Sequence, residues 1–135
     1  MSDTVSQKAK RPLSPHLQVY KLPLTALLSI THRFTGMALI FGSLIVVGFF
    51  FAAASGEEYY NMFLDYAEMP IAKVILFLWS GALYYHMCNG VRHMIWDTGA
   101  LLTKASAMKA NYVVLLSAAL LTIGTWAMAC PCWKG

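Results

Sequence analysis

Two short polar clusters interrupt a chain that is otherwise strongly apolar. The first covers residues 29–36, with the sequence SITHRFTG, and the second covers residues 86–97, with the sequence HMCNGVRHMIWD. Their imidazole, guanidinium and hydroxyl groups can ligate a metal, hold an anion or donate hydrogen bonds. Each cluster borders an apolar stretch long enough to cross a bilayer, where ionisable side chains are costly and usually mark functional sites. The two clusters are therefore the candidate site.

Four residues of the second cluster share one stripe of a helix. His86, Gly90, His93 and Asp97 follow the spacing i, i+4, i+7, i+11, and Gly90 leaves a gap between the two imidazoles in which a flat group would fit. The two histidines are about 10 Å apart along the axis, too far to ligate one iron atom together. They would instead reach the centre and the edge of one porphyrin, with His86 on the iron and His93 near a propionate. The second axial ligand would then come from another chain.

Other roles fit the same residues. On its own, His86 is as well explained by a hydrogen bond to a neighbouring membrane helix as by metal ligation. His93 lies near the inner boundary and would also suit an interfacial position. Arg92 points away from the stripe by about 120°, and we expect its long side chain to extend into the lipid headgroups.

The first cluster suggests a site for an apolar molecule that carries carbonyl groups. Ser29, Arg33 and Gly36 follow i, i+4, i+7, so a hydroxyl donor lies one turn from a permanent cation. Such a pair would hold a quinone by its oxygens and stabilise the charge that develops during reduction. Ile30 and Phe34 would supply the apolar wall.

This cluster also has simpler explanations. The Ser29 hydroxyl would bond the carbonyl one turn back, Arg33 would bind a lipid phosphate, and His32 would be an interface residue. These explanations give no reason for both clusters to lie on the same side of the membrane.

The composition and the apolar stretches predict the elements that position these clusters. The chain has 135 residues, of which 59% are hydrophobic and only 12% are charged, well below the roughly 25% charged residues of soluble domains. Crossing a bilayer takes about 20 residues. Apolar stretches at about 23–54, 70–96 and 111–131 are each long enough, so we predict an all-α membrane protein with three transmembrane helices, forming one anchor over residues 23–135.

The uneven charges predict the orientation. Four cations precede the first helix, whereas the short polar segment after it carries four acids and no cation before Lys73. By the positive-inside rule the amino terminus is inside, so residues 1–22 form an inner-side segment and the carboxyl terminus is outside. The net charge of +4 therefore reflects topology, and nucleic-acid binding is not expected.

The remaining sequence signals concern location and sulfur chemistry. No removable signal peptide and no presequence rich in Arg and Ser is apparent at the amino terminus, which favours a bacterial inner membrane over a mitochondrial one. Cys130 and Cys132 form only a weak metal signature, and Cys88 is expected to be a small buried apolar residue. A transporter or channel subunit is disfavoured because no internal repeat and no pair of broken helices is present.

Several motifs together resemble the cytochrome b subunit family of succinate dehydrogenase (complex II). The resemblance runs from Arg11 to about Asn111 and includes the order of the three helices. The matching segments are Arg11-Pro-Leu-Ser-Pro-His16-Leu, Ser29-Ile-Thr-His32-Arg33-Phe-Thr-Gly36 and His86-x-x-Asn-Gly90-x-Arg92-His93-x-x-Trp-Asp97.

This resemblance implies roles beyond those that spacing suggests. In the family, the histidine at the position of His86 is an axial ligand of haem b, and a second small anchor subunit supplies the other ligand. The residues at Ser29 and Arg33 line a ubiquinone site beside the iron-sulfur subunit, and those at His32, Arg33 and His93 lie near the haem propionates. The flavoprotein subunit, and not this chain, oxidises succinate.

The sequence therefore predicts a membrane anchor of succinate dehydrogenase that binds haem b and helps to form the ubiquinone-reduction site. The expected partners are a second small anchor subunit, the iron-sulfur subunit, the flavoprotein subunit and membrane lipid. A haem-free, purely structural anchor of a respiratory complex is the alternative.

Overall fold

The chain forms four helices in the computed structural model, which describes residues 21–129. They are α1 (Leu24–Ser55), α2 (Glu57–Glu68), α3 (Pro70–Asp97) and α4 (Lys104–Ala129). No strand occurs within residues 21–129, and α1, α3 and α4 are long and apolar enough to cross a membrane. The predicted all-α fold with three membrane-spanning helices is confirmed.

Local sequence signals set the helix ends. α1 begins directly after Pro23 and ends at Gly56, whose φ of 118° is readily adopted only by glycine. Pro70 occupies the first turn of α3, where the missing N–H is not needed. At the start of α4, the Thr103 hydroxyl accepts a hydrogen bond from the Ser106 backbone N–H at 3.2 Å and so caps the helix.

α4 begins earlier than the apolar stretch that predicted it. The helix starts at Lys104, whereas the third apolar stretch begins at residue 111. The first two turns are polar but contain good helix formers behind the Thr103 cap. Apolarity therefore located the membrane span, and the cap determined where the helix starts.

α2 is an amphipathic helix in the segment that the sequence suggested was only a short polar connection. Tyr60, Phe63 and Ala67 lie on one face and are partly buried, whereas the acidic residues are exposed. Phe49 of α1 packs against Tyr60 and Phe63, with ring centroids 5.9 and 5.7 Å apart. Aromatic packing on α1 thus stabilises a helix that this 12-residue segment would barely maintain alone.

The three long helices pack in alternating directions. Along α1 and α3 the pairs Leu28 with Asn89, Thr35 with His86, and Gly42 with Trp79 show that the two helices are antiparallel. A Cβ on Gly42 would overlap the Trp79 indole, so glycine is required for this close approach.

α4 runs antiparallel to α3. Tyr84 bonds Thr125 at 2.7 Å, and Trp126 donates to Ser80 at 2.9 Å. The start of α1, the end of α3 and the start of α4 therefore lie at one end of the bundle, which we call the histidine end.

The bundle has an apolar surface and a partly polar interior. Large apolar side chains such as Phe41, Phe51 and Met128 are more than 70% exposed. Among residues 21–129, four polar residues are buried between the helices, namely Asn89, Arg92, Asn111 and Thr122. This arrangement suits a protein whose solvent is lipid, where packing and interhelical hydrogen bonds hold the helices together.

Candidate functional site

Three histidines meet at the histidine end. The ring of His32 on α1 stacks on that of His86 on α3, with centroids 3.8 Å apart and an interplanar angle of 16°. The His93 ring centroid lies 5.3 Å from that of His32. The structure thus brings together one residue of the first polar cluster and two of the second.

His32 also lies beside Gly90. A Cβ on Gly90 would be 3.9 Å from His32 Cε1, so the gap expected between His86 and His93 faces an imidazole from α1. A flat group lying directly against Gly90 would have to displace that ring. A flat group would therefore have to contact the histidine cluster from a side other than the Gly90 gap.

The hydrogen bonds of His86 define its tautomer. Its Nδ1 lies 3.1 Å from the His32 carbonyl oxygen and 3.1 Å from Thr35 Oγ1. The carbonyl can only accept, and the Thr35 hydroxyl already donates to the same carbonyl at 2.9 Å. The proton of His86 is therefore on Nδ1, and the lone pair is on Nε2.

Gly36 makes room for this imidazole. A Cβ at position 36 would lie 3.1 Å from His86 Cε1, closer than ordinary van der Waals contact. The glycine one turn after His32 thus permits the His86 ring to lie against α1 while its Nδ1 reaches the carbonyl.

A second group of interhelical bonds fixes the turn of α1 that precedes His32. The Leu28 carbonyl accepts from the Tyr85 hydroxyl at 2.9 Å and from Asn89 Nδ2 at 3.2 Å. Tyr85 is also 2.6 Å from Thr31 Oγ1. Sequence reasoning gave Tyr85 and Asn89 no role, although a polar side chain on either side of His86 within an apolar helix was a signal.

The first polar cluster is divided between two faces of α1. Ser29 is partly buried, whereas Ile30 is 41% exposed and Arg33 is exposed. Ser29 and Arg33 lie about 60° and 100° around the helix from His32. The structure does not bring these two residues into polar contact with the histidines of α3, and they line a flank that residues 21–129 leave open.

Ser29 differs from the hydroxyl residues near it. Thr31 and Thr35 donate to carbonyls of the preceding turn, as expected for such residues in membrane helices. Among residues 21–129 the Ser29 hydroxyl makes no such bond.

Arg92 does not extend into the headgroups, and that expectation was wrong. The residue is only 2% exposed, and its Nη1 donates to Asn111 Oδ1. Its guanidinium lies 4.4 Å from the centre of the Trp96 ring. Asn111 in turn donates to Thr25 Oγ1 at 3.0 Å. The face of α3 that lies 120° from the histidine stripe packs on α4. The polar first turns of α4 cover the Arg92 side chain.

The described residues form no cluster of three or more candidate metal ligands. Between residues 21 and 129, no three His, Cys, Asp or Glu side chains are placed to hold a metal ion together. Cys88 is partly buried, and Asp97 at the end of α3 is exposed. Arg11, His16, Cys130 and Cys132 lie outside the described residues.

The architecture, the paired polar clusters and the apolar surface agree with comparisons to known proteins. The family described as succinate dehydrogenase/fumarate reductase transmembrane subunit matches residues 7–125, which is most of the chain. The chain belongs to this family. The match includes both polar clusters and ends before Cys130.

Relatives of this succinate dehydrogenase/fumarate reductase family occur in bacteria and in eukaryotes. The chain is 38% identical over 117 residues to the succinate dehydrogenase cytochrome b556 subunit of Rickettsia felis, covering 87% of this chain and 91% of the relative. It is 34% identical over 118 residues to the cytochrome b556 subunit of Paracoccus denitrificans, with the same coverage. It is 35% identical over 122 residues to the cytochrome b560 subunit of Marchantia polymorpha, covering 86% and 88%.

Proposed function

We propose that this chain is the cytochrome b anchor subunit of succinate dehydrogenase, in which it ligates haem b and forms part of the ubiquinone-reduction site. The observation that carries the proposal is the way in which the imidazole of His86 is held. Its Nδ1 is held by the His32 carbonyl and Thr35, which leaves Nε2 as a metal ligand.

The residues around His86 fit a haem ligand. Ligating histidines usually donate their other ring N–H to a carbonyl or carboxylate, which fixes the ring orientation. Gly36 provides the space that this orientation needs. The other axial ligand would come from the second small anchor subunit. When bound, haem b accepts and returns one electron.

Three cationic or protonatable side chains would hold the haem propionates. His32 and His93 lie together at the histidine end, and Arg33 is exposed one residue beyond His32. The Nδ1 atom of His32 is buried and has no partner among the described residues. A propionate oxygen would satisfy that atom, and buried polar groups are rarely left unpaired.

Ser29 and Arg33 would bind the quinone from the open flank of α1. The Ser29 hydroxyl would donate to one quinone oxygen, and the Arg33 cation would stabilise the negative charge that accumulates before protons arrive. Ile30, which is 41% exposed, would contribute the apolar wall. Since residues 21–129 leave the flank open, the iron-sulfur subunit would complete the pocket and deliver the electrons.

The cations around the start of α1 support the orientation of the subunit. Under the positive-inside rule the histidine end faces the inner side, together with the segment 1–22. The iron-sulfur subunit and the succinate-oxidising flavoprotein subunit would then assemble at this end. We propose an inner membrane as the location, with the bacterial cytoplasmic membrane favoured.

An optical experiment tests the haem ligand. We expect the reduced-minus-oxidised spectrum of the purified complex to show a b-type haem, and His86→Ala to abolish or shift it. Met87→Ala, at an exposed neighbouring position, is the matched control and should leave the spectrum unchanged. An unaltered spectrum in a folded His86→Ala complex would refute the assignment.

A haem-free structural anchor is the second candidate. The observation that favours it is that the hydrogen bond between His86 and the His32 carbonyl joins α1 to α3, which is a structural role in itself. A featureless visible spectrum of the wild-type complex, with the subunits still assembled, would establish this alternative.

A further inference from the structure

Two successive turns of α1 are bound to α3 in the same way. In each turn a backbone carbonyl, the threonine hydroxyl three residues later and a polar side chain of α3 come together. In the first turn the Leu28 carbonyl accepts from Thr31 Oγ1 at 3.2 Å and from the Tyr85 hydroxyl at 2.9 Å. The two hydroxyl oxygens are themselves 2.6 Å apart. We call this group of three the Tyr85 clamp.

The second turn repeats the arrangement four residues later. The His32 carbonyl accepts from Thr35 Oγ1 at 2.9 Å. His86 Nδ1 lies 3.1 Å from that carbonyl and 3.1 Å from the Thr35 hydroxyl. We call this group the His86 clamp. Because residues four apart lie on the same side of a helix, both clamps hold α1 by one face.

Each clamped carbonyl belongs to the peptide group that precedes a proposed quinone residue. Leu28 is followed by Ser29, and His32 is followed by Arg33. The peptide group is planar, and two carbonyls held one turn apart fix the rotation of α1 about its own axis. The next residue lies 100° further round the helix. The clamps therefore set the direction in which Ser29 and Arg33 face the flank that residues 21–129 leave open.

The Tyr85 clamp lies in a tightly packed part of the bundle. Leu28 is only 3% exposed, and the fully buried Asn89 also donates to its carbonyl, from Nδ2 at 3.2 Å. A buried hydrogen bond that is removed is not readily replaced by one to water. The turn of α1 that carries Ser29 thus depends on side chains of α3 for its position.

We propose that Tyr85 is a positioning residue for quinone reduction, which acts through Ser29 and does not contact the quinone. The inference rests on the proposed quinone role of Ser29 and extends it to α3. The Tyr85 hydroxyl is directed to Leu28 and Thr31, so it orients the turn and leaves the quinone to the Ser29 hydroxyl. His86 has the same relation to Arg33, and one helix would therefore both ligate the haem and shape the quinone pocket.

Quinone kinetics of the assembled complex test this role. Tyr85→Phe removes one hydroxyl and keeps the ring, so we expect kcat/KM for quinone to fall about three- to ten-fold, the effect of one interhelical hydrogen bond in a membrane protein. The haem spectrum and succinate oxidation with an artificial acceptor should persist. Tyr84→Phe is the matched control and should reduce quinone at the wild-type rate, because Tyr84 bonds Thr125 of α4 at 2.7 Å instead of α1.

A double-mutant cycle distinguishes positioning of Ser29 from a general structural effect. If Tyr85 acts through the Ser29 hydroxyl, adding Tyr85→Phe to Ser29→Ala should slow quinone reduction no further. Thr31→Val removes the other hydroxyl of the clamp and keeps the branched shape of the side chain. It should give the same result, and it provides the cycle if the tyrosine variant does not assemble. Thr125→Val, which removes the hydroxyl partner of Tyr84, is its control.

Two outcomes would overturn the inference while the quinone role of Ser29 stands. The first is a wild-type quinone rate in both Tyr85→Phe and Thr31→Val. The second is an equal further loss when Tyr85→Phe is added to Ser29→Ala, because the tyrosine would then act elsewhere. Wild-type quinone reduction by Ser29→Ala alone would instead refute the proposed quinone role, and the positioning role of Tyr85 would fall with it.

Discussion

The imidazole of His32 stacks nearly parallel on that of His86, with ring centroids 3.8 Å apart, although the two residues belong to different helices. The His32 backbone carbonyl also accepts the proton of His86 Nδ1. His32 therefore contacts His86, the proposed haem ligand, through both its ring and its backbone. These two contacts can be separated by mutation.

Replacing the His32 ring should alter the haem without releasing it. His32→Leu keeps the carbonyl that orients His86 but removes the stacked imidazole. A lost interaction of ~1 kcal/mol would shift a one-electron potential by ~40 mV. A redox titration of the purified complex measures the shift. An unchanged midpoint potential would show that the ring does not influence the haem.

Adding a single methyl group at position 36 should reduce haem content. Gly36→Ala places a Cβ 3.1 Å from His86 Cε1, so the ring must shift by a few tenths of an ångström against the hydrogen bonds that hold it. Gly48→Ala on the same helix meets Phe63 at an ordinary 3.7 Å and is the control. Alanine favours a helix over glycine by about 1 kcal/mol, so loss of haem in Gly36→Ala alone would reflect the ring. A pyridine-haem assay normalised to protein measures the haem content. Equal haem content in both variants would contradict the expectation.

Removing the Ser29 hydroxyl should impair quinone reduction selectively. A hydrogen bond to a developing charge contributes about 1.5–3 kcal/mol, so Ser29→Ala should slow quinone reduction by about 10- to 100-fold. Arg33→Leu should act in the same direction. Succinate oxidation with an artificial acceptor should persist in both.

The control for the hydroxyl lies on the same helix. Ser43 is exposed, and its hydroxyl donates to the Ile40 carbonyl at 2.6 Å, so Ser43→Ala should reduce quinone at the wild-type rate. Parallel loss of both activities in Ser29→Ala would point to misassembly and refute a quinone role.

Truncating Asn111 should destabilise the histidine end. Asn111→Ala removes the acceptor of Arg92 Nη1 and the bond to Thr25, leaving a fully buried cation with less compensation. The expected cost is about 1–3 kcal/mol, which thermal unfolding of the detergent-purified complex would register as a lower midpoint. Asn61→Ala on the exposed side of α2 should leave the midpoint unchanged. Equal midpoints for the two variants would show that the buried chain of hydrogen bonds contributes little.

The sequence by itself determined the class of protein and the number of membrane spans. An apolar run of 20 or more residues is stable in lipid as a helix, because a helix satisfies its own backbone hydrogen bonds. The two polar clusters were equally visible, since ionisable residues in such runs are rare. His86, His93 and Gly90 could be placed on one stripe from helical periodicity alone.

Only the tertiary structure decided which of these side chains meet. Periodicity gives the direction of a side chain around its own helix but not the helix that it faces, so the stacking of His32 on His86 could not be read from the sequence. For the same reason, periodicity predicted that the Arg92 side chain extends into the lipid headgroups, whereas the polar start of α4 buries it against Asn111. The segment after α1 is likewise helical because Phe63 packs on Phe49. Contacts between helices stabilise a short segment whose own preference for the helix is weak.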